Sequence, residues 1–217
     1  MNNAEILSHV DHTLLQATAS WSEIQALCDE AVANQTASVC VPPSYIKRIA
    51  DTYGDKLNIC TVIGFPLGYQ TTAVKVLETK EAIADGAAEV DMVINLGDVK
   101  NGDFDLITAE IKALKQAVGQ NILKVIIETC YLTETEKIRL CQCVTEAGAD
   151  YIKTSTGFGT AGAKIEDIRL FKQHIGAAVK MKAAGGVRTR EDLEMFLAEG
   201  CERIGTSSAL KILQTQA

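Results

Sequence analysis

The sequence predicts a (β/α)8 barrel, a closed ring of parallel strands surrounded by helices. Short apolar or β-branched segments alternate with amphipathic helical segments along the chain, which is typical of a parallel sheet. The alternation gives eight strands in 217 residues, or about 27 residues for each strand and helix, which suits a small barrel. An open, doubly wound sheet is the alternative, but it usually has fewer strands, and no G-x-G-x-x-G motif follows the first strand here.

Eight short segments have the composition of strands that are covered on both faces. Each is mostly apolar or β-branched, as expected where helices pack against the outside of a sheet. The predicted strands are Val10–Leu15, Val39–Val41, Ile59–Ile63, Val90–Asn95, Leu123–Glu128, Tyr151–Thr154, Val179–Ala183 and Arg203–Gly205.

Helical segments with recognisable ends lie between these strands. Apolar residues recur at helical spacing from Asp103 to Val118, and Gly119 follows as a stop. Thr133 and Glu136 form a capping box at the start of another helix. That helix spans 133–148. The other predicted helices are 189–200, Trp21–Ala33, Tyr45–Tyr53, Thr72–Asp85 and Ile165–Ile175.

The composition indicates one domain and excludes several functional classes. Three prolines and the absence of a Ser/Gly-rich or charged stretch leave no linker, so residues 1–217 are expected to form one barrel. A net charge of −7 and an aromatic content of 5% argue against a nucleic-acid partner. No apolar run reaches the roughly 18 residues of a membrane helix, and Met1–His9 lacks the basic cluster of a secretory signal. We therefore expect a cytoplasmic enzyme with no membrane partner.

The cysteines and histidines do not have the spacing of a metal site. Cys141 and Cys143, the closest of the seven cysteines, have CxC rather than CxxC spacing. The only histidines, His9, His12 and His174, are few and scattered. We expect reduced, mostly buried thiols and no bound metal.

A repeated spacing places three residues at the same height in the predicted barrel. Three predicted helices end in similar short sequences that contain a glycine. The residues five positions after the three glycines are Asp91, Lys153 and Gly205, respectively. These positions fall on the fourth, sixth and eighth strands, and alternate strands of a barrel fill the same interior layer. We therefore expect a carboxylate, an amine and a gap in one layer. The three glycines are Gly86, Gly148 and Gly200.

Lysines on two neighbouring strands suggest covalent chemistry. Lys153 lies in a strand with apolar neighbours, where helices outside leave no route to solvent. Lys182 and Lys180 share one face of the seventh strand, and Lys182 is nearer its carboxyl end. Two lysines in one cavity repel each other, and loss of one proton relieves the repulsion and gives an amine that can attack a carbonyl. We expect Asp91 to balance the charge or to relay protons, and Lys180 to form a supporting ion pair deeper in the barrel.

Glycines after the last two strands suggest a phosphate site. Gly185 and Gly186 follow the seventh strand, and Gly205 to Ser208 end the eighth. Backbone amides that glycine leaves accessible, together with serine hydroxyls, bind phosphate. Barrels often place such a site after these two strands.

Five motifs, in order and nearly from end to end, resemble the 2-deoxyribose-5-phosphate aldolase family. They are 10–15 (VDHTLL), 62–68 (VIGFPLG), 89–95 (EVDMVIN), 153–158 (KTSTGF) and 182–188 (KAAGGVR). The resemblance implies a class I aldolase on a TIM barrel, which needs no metal or cofactor. The family reversibly cleaves 2-deoxy-D-ribose 5-phosphate to glyceraldehyde 3-phosphate and acetaldehyde in deoxynucleoside catabolism.

The resemblance also implies roles for individual residues. Lys153 matches the Schiff-base lysine, Lys182 the second lysine that keeps the first uncharged, and Asp91 the carboxylate that relays protons. Asp11 and Cys40 match positions that line the sugar pocket. The positions that match the phosphate site are Gly157, Gly185, Gly186, Gly205, Ser207 and Ser208.

Two features depart from some family members. Some relatives end in a tyrosine that reaches the active site, whereas this sequence ends in 214–217 (QTQA), which leaves open how the proton relay is completed, with water as one option. Some relatives also lack a lysine at the position of Lys180. The sequence does not specify an oligomeric state, although barrels of this size often form homodimers.

Three other functions remain as alternatives. A transaldolase would keep the lysine but act on ketose phosphates. A metal-dependent aldolase is disfavoured by the scattered histidines. A non-catalytic barrel that binds sugar phosphates would keep the glycines but has no use for an interior lysine pair and carboxylate.

Overall fold

The computed structural model describes residues 1–214, and in this range eight parallel strands form one closed barrel. Each strand pairs with the next, and the eighth pairs with the first. The closed barrel is therefore confirmed, and the open sheet is excluded. The strands are β1 (Val10–Thr13), β2 (Ser38–Val41), β3 (Ile59–Ile63), β4 (Glu89–Val93), β5 (Ile122–Ile126), β6 (Tyr151–Lys153), β7 (Lys180–Ala184) and β8 (Arg203–Thr206).

Helices connect successive strands on the outside of the barrel. They are α1 (Asn3–Leu7), α2 (Trp21–Asn34), α3 (Ile46–Tyr53), α4 (Thr72–Ala84), α5 (Leu96–Asn101), α6 (Phe104–Val118), α7 (Glu134–Glu146), α8 (Ile165–His174), α9 (Arg190–Ala198) and α10 (Ala209–Gln214), with short 3-10 turns at Pro43–Tyr45, Gly54–Lys56 and Thr129–Tyr131. The sequence did not predict α1, α5 and α10, because five or six residues are too few to show helical periodicity. None of the described helices is long and apolar enough to cross a membrane.

The predicted helix signals match the observed helix ends. Thr133 caps α7 and Glu136 bonds back to it, as the capping box predicts. Thr189 and Asp192 form the same arrangement at the start of α9. Gly119 ends α6 with a positive φ of 62°.

The predicted first, fourth and fifth strands extend two residues too far at their carboxyl ends. At these points the chain leaves the hydrogen-bonded ladder to form the loops at the mouth of the barrel. Glu128, for example, has a left-handed φ of 53° that a strand cannot contain.

The apolar core lies between the strands and the helices rather than inside the barrel. The stripe predicted on α6 faces inward, and its members Ile107, Ile111 and Leu114 are buried. The seven cysteines are free thiols, and all but Cys130 are buried. The barrel interior is instead filled largely by charged side chains.

Candidate active site

Asp91 is the centre of the charged interior. It lies on β4 and is completely buried. Its Oδ2 atom accepts hydrogen bonds from Nζ of Lys153 and of Lys182, both at 2.7 Å. Its Oδ1 atom accepts a third, from Nζ of Lys124 at 3.0 Å. One carboxylate on β4 therefore joins lysines from β5, β6 and β7.

Asp11 on β1 holds Lys182 from the other side. Its Oδ2 accepts a hydrogen bond from Lys182 Nζ and lies 3.7 Å from Lys124 Nζ. Its Oδ1 accepts hydrogen bonds from Arg203 at 2.6 Å and from the Ser38 hydroxyl at 2.8 Å. Lys182 is therefore bonded to two carboxylates, whereas Lys153 is bonded to one.

Glu89 completes the network toward the amino ends of the strands. Its Oε2 lies 2.5 Å from Lys124 Nζ, and both of its oxygens accept hydrogen bonds from Arg203, at 2.8 and 3.0 Å. Without Lys153 the network is neutral, because it then holds as many carboxylates as cations. The carboxylates are those of Asp11, Glu89 and Asp91, and the cations are Lys124, Lys182 and Arg203.

The close pairing shifts the pKa values of the interior groups. Burial alone would raise the pKa values of Asp11 and Asp91, but the adjacent lysines hold both below the usual range. Burial would lower the pKa values of Lys182 and Lys124, but the carboxylates beside them raise both. These two carboxyl groups and two amines are therefore charged at neutral pH.

Lys153 connects this network to solvent. It is the last residue of β6 and is in register with Lys182 on β7, so its side chain enters the barrel near the mouth. Its side chain is 4% exposed and forms part of the floor of a pocket of about 270 Å³. Among the predicted catalytic residues, only Lys153 lines this pocket.

The predicted phosphate-site residues lie around the same pocket. The lining residues come from the carboxyl ends of β1, β6, β7 and β8 and the loops that follow them. Gly185 has a φ of 80°, and a Cβ there would lie 3.3 Å from the Cα of Gly157. The loops after β6 and β7 therefore approach each other as bare backbone. All six predicted phosphate-site residues line the pocket: Gly157, Gly185, Gly186, Gly205, Ser207 and Ser208.

Gly205 is the gap that the repeated spacing predicts. A Cβ at this position would lie 3.1 Å from Cε of Lys182, which is closer than most real contacts. The missing side chain leaves room for Lys182 to reach across the barrel to Asp91. Lys182 thus packs beside Gly205 and bonds to Asp91, which in turn bonds to Lys153.

Asp11 and Cys40, which the resemblance places along the sugar pocket, are not among the residues that line this pocket. Asp11 lies two positions below Thr13, which does line the pocket, and its carboxylate is fully used by interior partners. Cys40 is on β2, which contributes no lining residue, and it packs against Cys60.

The expectation that Lys180 lies deeper in the barrel is wrong. It is the first residue of β7, and its side chain is 51% exposed. It does form an ion pair, but with the equally exposed Glu202, at 3.5 Å. Its amine lies 5.8 Å from the centre of the Tyr151 ring.

The sequence analysis missed Lys124, Glu89 and Arg203. Lys124 is completely buried and contacts more carboxylates than any other interior lysine. It interrupts an apolar segment of a predicted strand, as Lys153 does. A charged residue within a strand that is covered on both faces could have identified it.

Among residues 1–214, two groups of side chains have atoms close enough to bind a metal: Cys40, Cys60 and Asp91, and Asp11, Cys60 and Glu89. The ligand atoms in each group lie within 4.8 Å of one another. However, the Lys124 amine lies 3.3 Å from Cys60 Sγ and 3.0 Å from Asp91 Oδ1. Because the amine is cationic, it supplies the positive charge that a metal ion would bring.

The C-terminal segment 215–217, which bears on the proton relay, is outside the described residues.

Comparisons with known proteins agree with this architecture. A family model described as DeoC/LacD family aldolase matches residues 6–215. The chain is 66% identical to a deoxyribose-phosphate aldolase of Clostridium botulinum over 214 residues, which covers 99% of this chain and 97% of that protein. It is 60% identical to one from Clostridioides difficile over 211 residues, with coverages of 97% and 96%.

Solved structures show the same similarity. A putative deoxyribose-phosphate aldolase from Coccidioides immitis aligns with a TM-score of 0.95 at 38% identity, covering 100% of this chain and 87% of that chain. The deoxyribose phosphate aldolase of Aeropyrum pernix, described as tetrameric, aligns with a TM-score of 0.92 at 28% identity, covering 99% and 92%. These matches confirm the family that the five motifs predict: this chain belongs to the DeoC/LacD family of aldolases.

Proposed function

We propose that this class I aldolase reversibly cleaves 2-deoxy-D-ribose 5-phosphate to D-glyceraldehyde 3-phosphate and acetaldehyde, with Lys153 as the Schiff-base residue. The observation that carries the proposal is the position of Lys153. Its amine is bonded to the charged interior through Asp91 at 2.7 Å, and its side chain lines the pocket whose rim carries the glycines and serines. A sugar phosphate bound at that rim would present its aldehyde to this amine.

The reaction begins with the uncharged amine of Lys153. The amine attacks the aldehyde carbon to form a carbinolamine, which loses water to give an iminium ion. Without the amine of Lys153 the network already has as many cations as carboxylates. Lys182, held by Asp11 and Asp91, supplies the positive charge beside it.

The iminium ion then accepts the electrons of the bond that breaks. The hydroxyl at C3 loses a proton, the C2–C3 bond breaks, and C3 leaves as the aldehyde of glyceraldehyde 3-phosphate. The electron pair remains on the enamine. Protonation at C2 and hydrolysis release acetaldehyde and regenerate the amine. In our proposal Asp91, Lys182 and water move these protons.

The phosphate end of the substrate would supply most of the binding energy. In our proposal the backbone amides and hydroxyls of the rim bind the phosphate, far from the bond that breaks. Such remote binding fixes the orientation of the aldehyde relative to Lys153. The pocket contains no buried carboxylate among its lining residues, which suits a dianionic group.

The proposal extends to the setting of the enzyme. Free, mostly buried thiols suit a reducing compartment, which supports a cytoplasmic location. The residues 1–217 would act as one catalytic barrel, with a small sugar phosphate as partner. A homodimer stays a prediction; the tetramer described for the Aeropyrum pernix protein shows that a related barrel assembles.

A coupled assay tests the proposed substrate. Purified protein is incubated with 2-deoxy-D-ribose 5-phosphate, and both aldehydes are measured, with a chelator present in a parallel reaction. We expect stoichiometric release of the two aldehydes and no effect of the chelator. Cleavage of ketose phosphates instead would favour a transaldolase, and inhibition by the chelator would favour a metal-dependent aldolase.

A further inference from the structure

Thr156 is the centre of a hydrogen-bonded turn after β6. Its hydroxyl oxygen accepts a hydrogen bond from the amide of Phe158 at 3.0 Å. The same hydroxyl donates to the carboxylate of Glu128 in the loop after β5. The amide of Thr156 also donates to the Glu128 carboxylate, at 3.2 Å.

Thr206 forms the same arrangement after β8. Its hydroxyl oxygen accepts a hydrogen bond from the amide of Ser208 at 3.1 Å and donates to the carbonyl of Val187, in the loop after β7, at 3.3 Å. In both loops, a threonine hydroxyl accepts from the amide two residues later and donates to the preceding loop of the barrel. Two separate loops therefore share one design.

This design leaves one amide unpaired in each turn. In the first turn the amides on both sides of Gly157 are already bonded, and in the second the amide after Ser207 is bonded. The amides of Gly157 and Ser207 donate to no acceptor within residues 1–214. Both residues line the pocket. An anion in the pocket could bind these amides without competition from the protein.

Glu128 has no counter-charge that would explain its burial as an ion pair. It is 3% exposed, and no ion pair within residues 1–214 includes it. Its strongest partners are the amide and the hydroxyl of Thr156. Gly159 packs against it so closely that a Cβ would lie 3.1 Å from the carboxyl carbon. Its left-handed backbone, at φ 53°, directs the side chain under the next loop rather than along β5.

We propose that Thr156 and Thr206 are positioning residues that aim the amides of Gly157 and Ser207 at the substrate phosphate, and that Glu128 acts through Thr156. The proposal rests on the proposed function, since it takes a phosphate as the bound anion. Neither threonine hydroxyl needs to touch the phosphate. Each already donates its only hydrogen within the turn that it organises, so its contribution is to the direction of a neighbouring amide.

The test compares a phosphorylated with an unphosphorylated substrate. For wild type and variants, kcat/KM is measured with 2-deoxyribose 5-phosphate and with 2-deoxyribose, and the ratio of the two values is calculated. We expect Thr156→Val and Thr206→Val each to lower this ratio about tenfold, as loss of one hydrogen bond to a charged group would. The loss should lie in KM for the phosphorylated substrate, with kcat nearly unchanged.

Matched variants separate positioning from general destabilisation. Thr156→Ser keeps the hydroxyl and should restore the ratio. Thr129→Val makes the same change at a buried threonine whose hydroxyl has no partner among residues 1–214, and it should leave the ratio unchanged. Circular dichroism melting checks that each variant is folded. If Thr156→Val does not fold, Thr206→Val and Glu128→Gln carry the same expectation of a lowered ratio.

The outcomes also separate this inference from the proposed function. If wild-type protein cleaves neither substrate, the proposed function is wrong. If wild type cleaves 2-deoxyribose 5-phosphate but the folded Val variants keep the wild-type ratio, the positioning role is wrong. A fall of both kcat/KM values by the same factor would also contradict it, because that pattern indicates damage to the fold or to Lys153.

Discussion

The side-chain nitrogens of Lys153 and Lys182 both lie 2.7 Å from one atom, Oδ2 of Asp91. The sharing is unequal, because Lys182 also donates to Asp11, whereas within residues 1–214 Lys153 pairs with Asp91 alone. Lys182 therefore balances two carboxylates, whereas Lys153 shares Asp91 with Lys124 and Lys182. Lys153 is the amine whose removal from the network breaks fewer ion pairs.

Replacement of Lys182 tests this division of roles. In Lys182→Leu the network loses a permanent cation, so Lys153 becomes the charge that balances Asp91. We expect kcat to fall by about 10³-fold or more, and the rising limb of the pH–rate profile to move to higher pH. An unchanged pH profile in the folded variant would remove Lys182 from its role beside the Schiff-base amine.

Replacement of Lys124 tests the charge balance without touching the pocket. Lys124→Met removes a cation that contacts three carboxylates, and loss of one partner from a buried ion pair costs about 3–5 kcal/mol. We expect a lower free energy of unfolding in urea and, as in Lys182→Leu, a pH–rate profile moved upward. Lys180→Met, at an exposed lysine, is the control and should change neither. If Lys124→Met matched this control, the buried network would not govern the reactive amine.

Buried thiols predict a loss of stability in alkali. Burial raises the pKa values of Cys28, Cys141 and Cys201 to about 12, whereas an exposed thiol has a pKa of about 8.5. Between these values the folded state keeps protons that the unfolded state releases, so stability falls as the pH rises. Each thiol contributes a slope of about 1.4 kcal/mol per pH unit.

Urea unfolding between about pH 8.5 and 9.3 measures this slope while lysines and tyrosines stay largely protonated. Cys201→Ala should reduce the slope by the contribution of one thiol. A free energy of unfolding that stays constant across this interval would contradict the burial of these groups.

Arg188 is the cation on the pocket rim, and we expect it to contribute little. Its side chain is exposed, and its backbone amide bonds to Asp192 at 2.9 Å. Because an exposed charge is screened by solvent, Arg188→Ala should raise KM for the phosphorylated substrate by only about threefold. A loss of activity as large as that from removing Lys153 would mean that the phosphate does not bind to the backbone amides.

The fold could be predicted because its signals are local. The capping residues Thr133 and Thr189 and the stripe of α6 mark the helices, and short β-branched runs between them mark the strands. Strand ends were less certain, since hydrophobic residues continue past the last ladder bond into the loops. The short helices α1 and α10 depend on contacts between the two ends of the chain, such as Asn3 with the carbonyl of Leu213.

The site was predictable where its residues repeat at equal distances from helix ends. That spacing alone predicts that Asp91 and Lys153 lie in the same layer of the barrel. Arg203 was missed because its burial depends on partners from distant strands, which local periodicity does not reveal, whereas Lys124 carried the usable signal of a charge within an apolar strand. Lys75 likewise could not be predicted to be buried from its position on a helix, because its partner in the buried ion pair, Glu110 at 2.8 Å, lies on another helix.

The most direct test of the account is reductive trapping of the Schiff base. Protein is mixed with 2-deoxyribose 5-phosphate and borohydride, digested, and analysed by mass spectrometry, with folded Lys153→Leu in parallel. The account predicts a stable adduct on the peptide that contains Lys153, and neither an adduct nor turnover in the variant. An adduct on Lys182 or Lys124 instead, or full activity of Lys153→Leu, would contradict it.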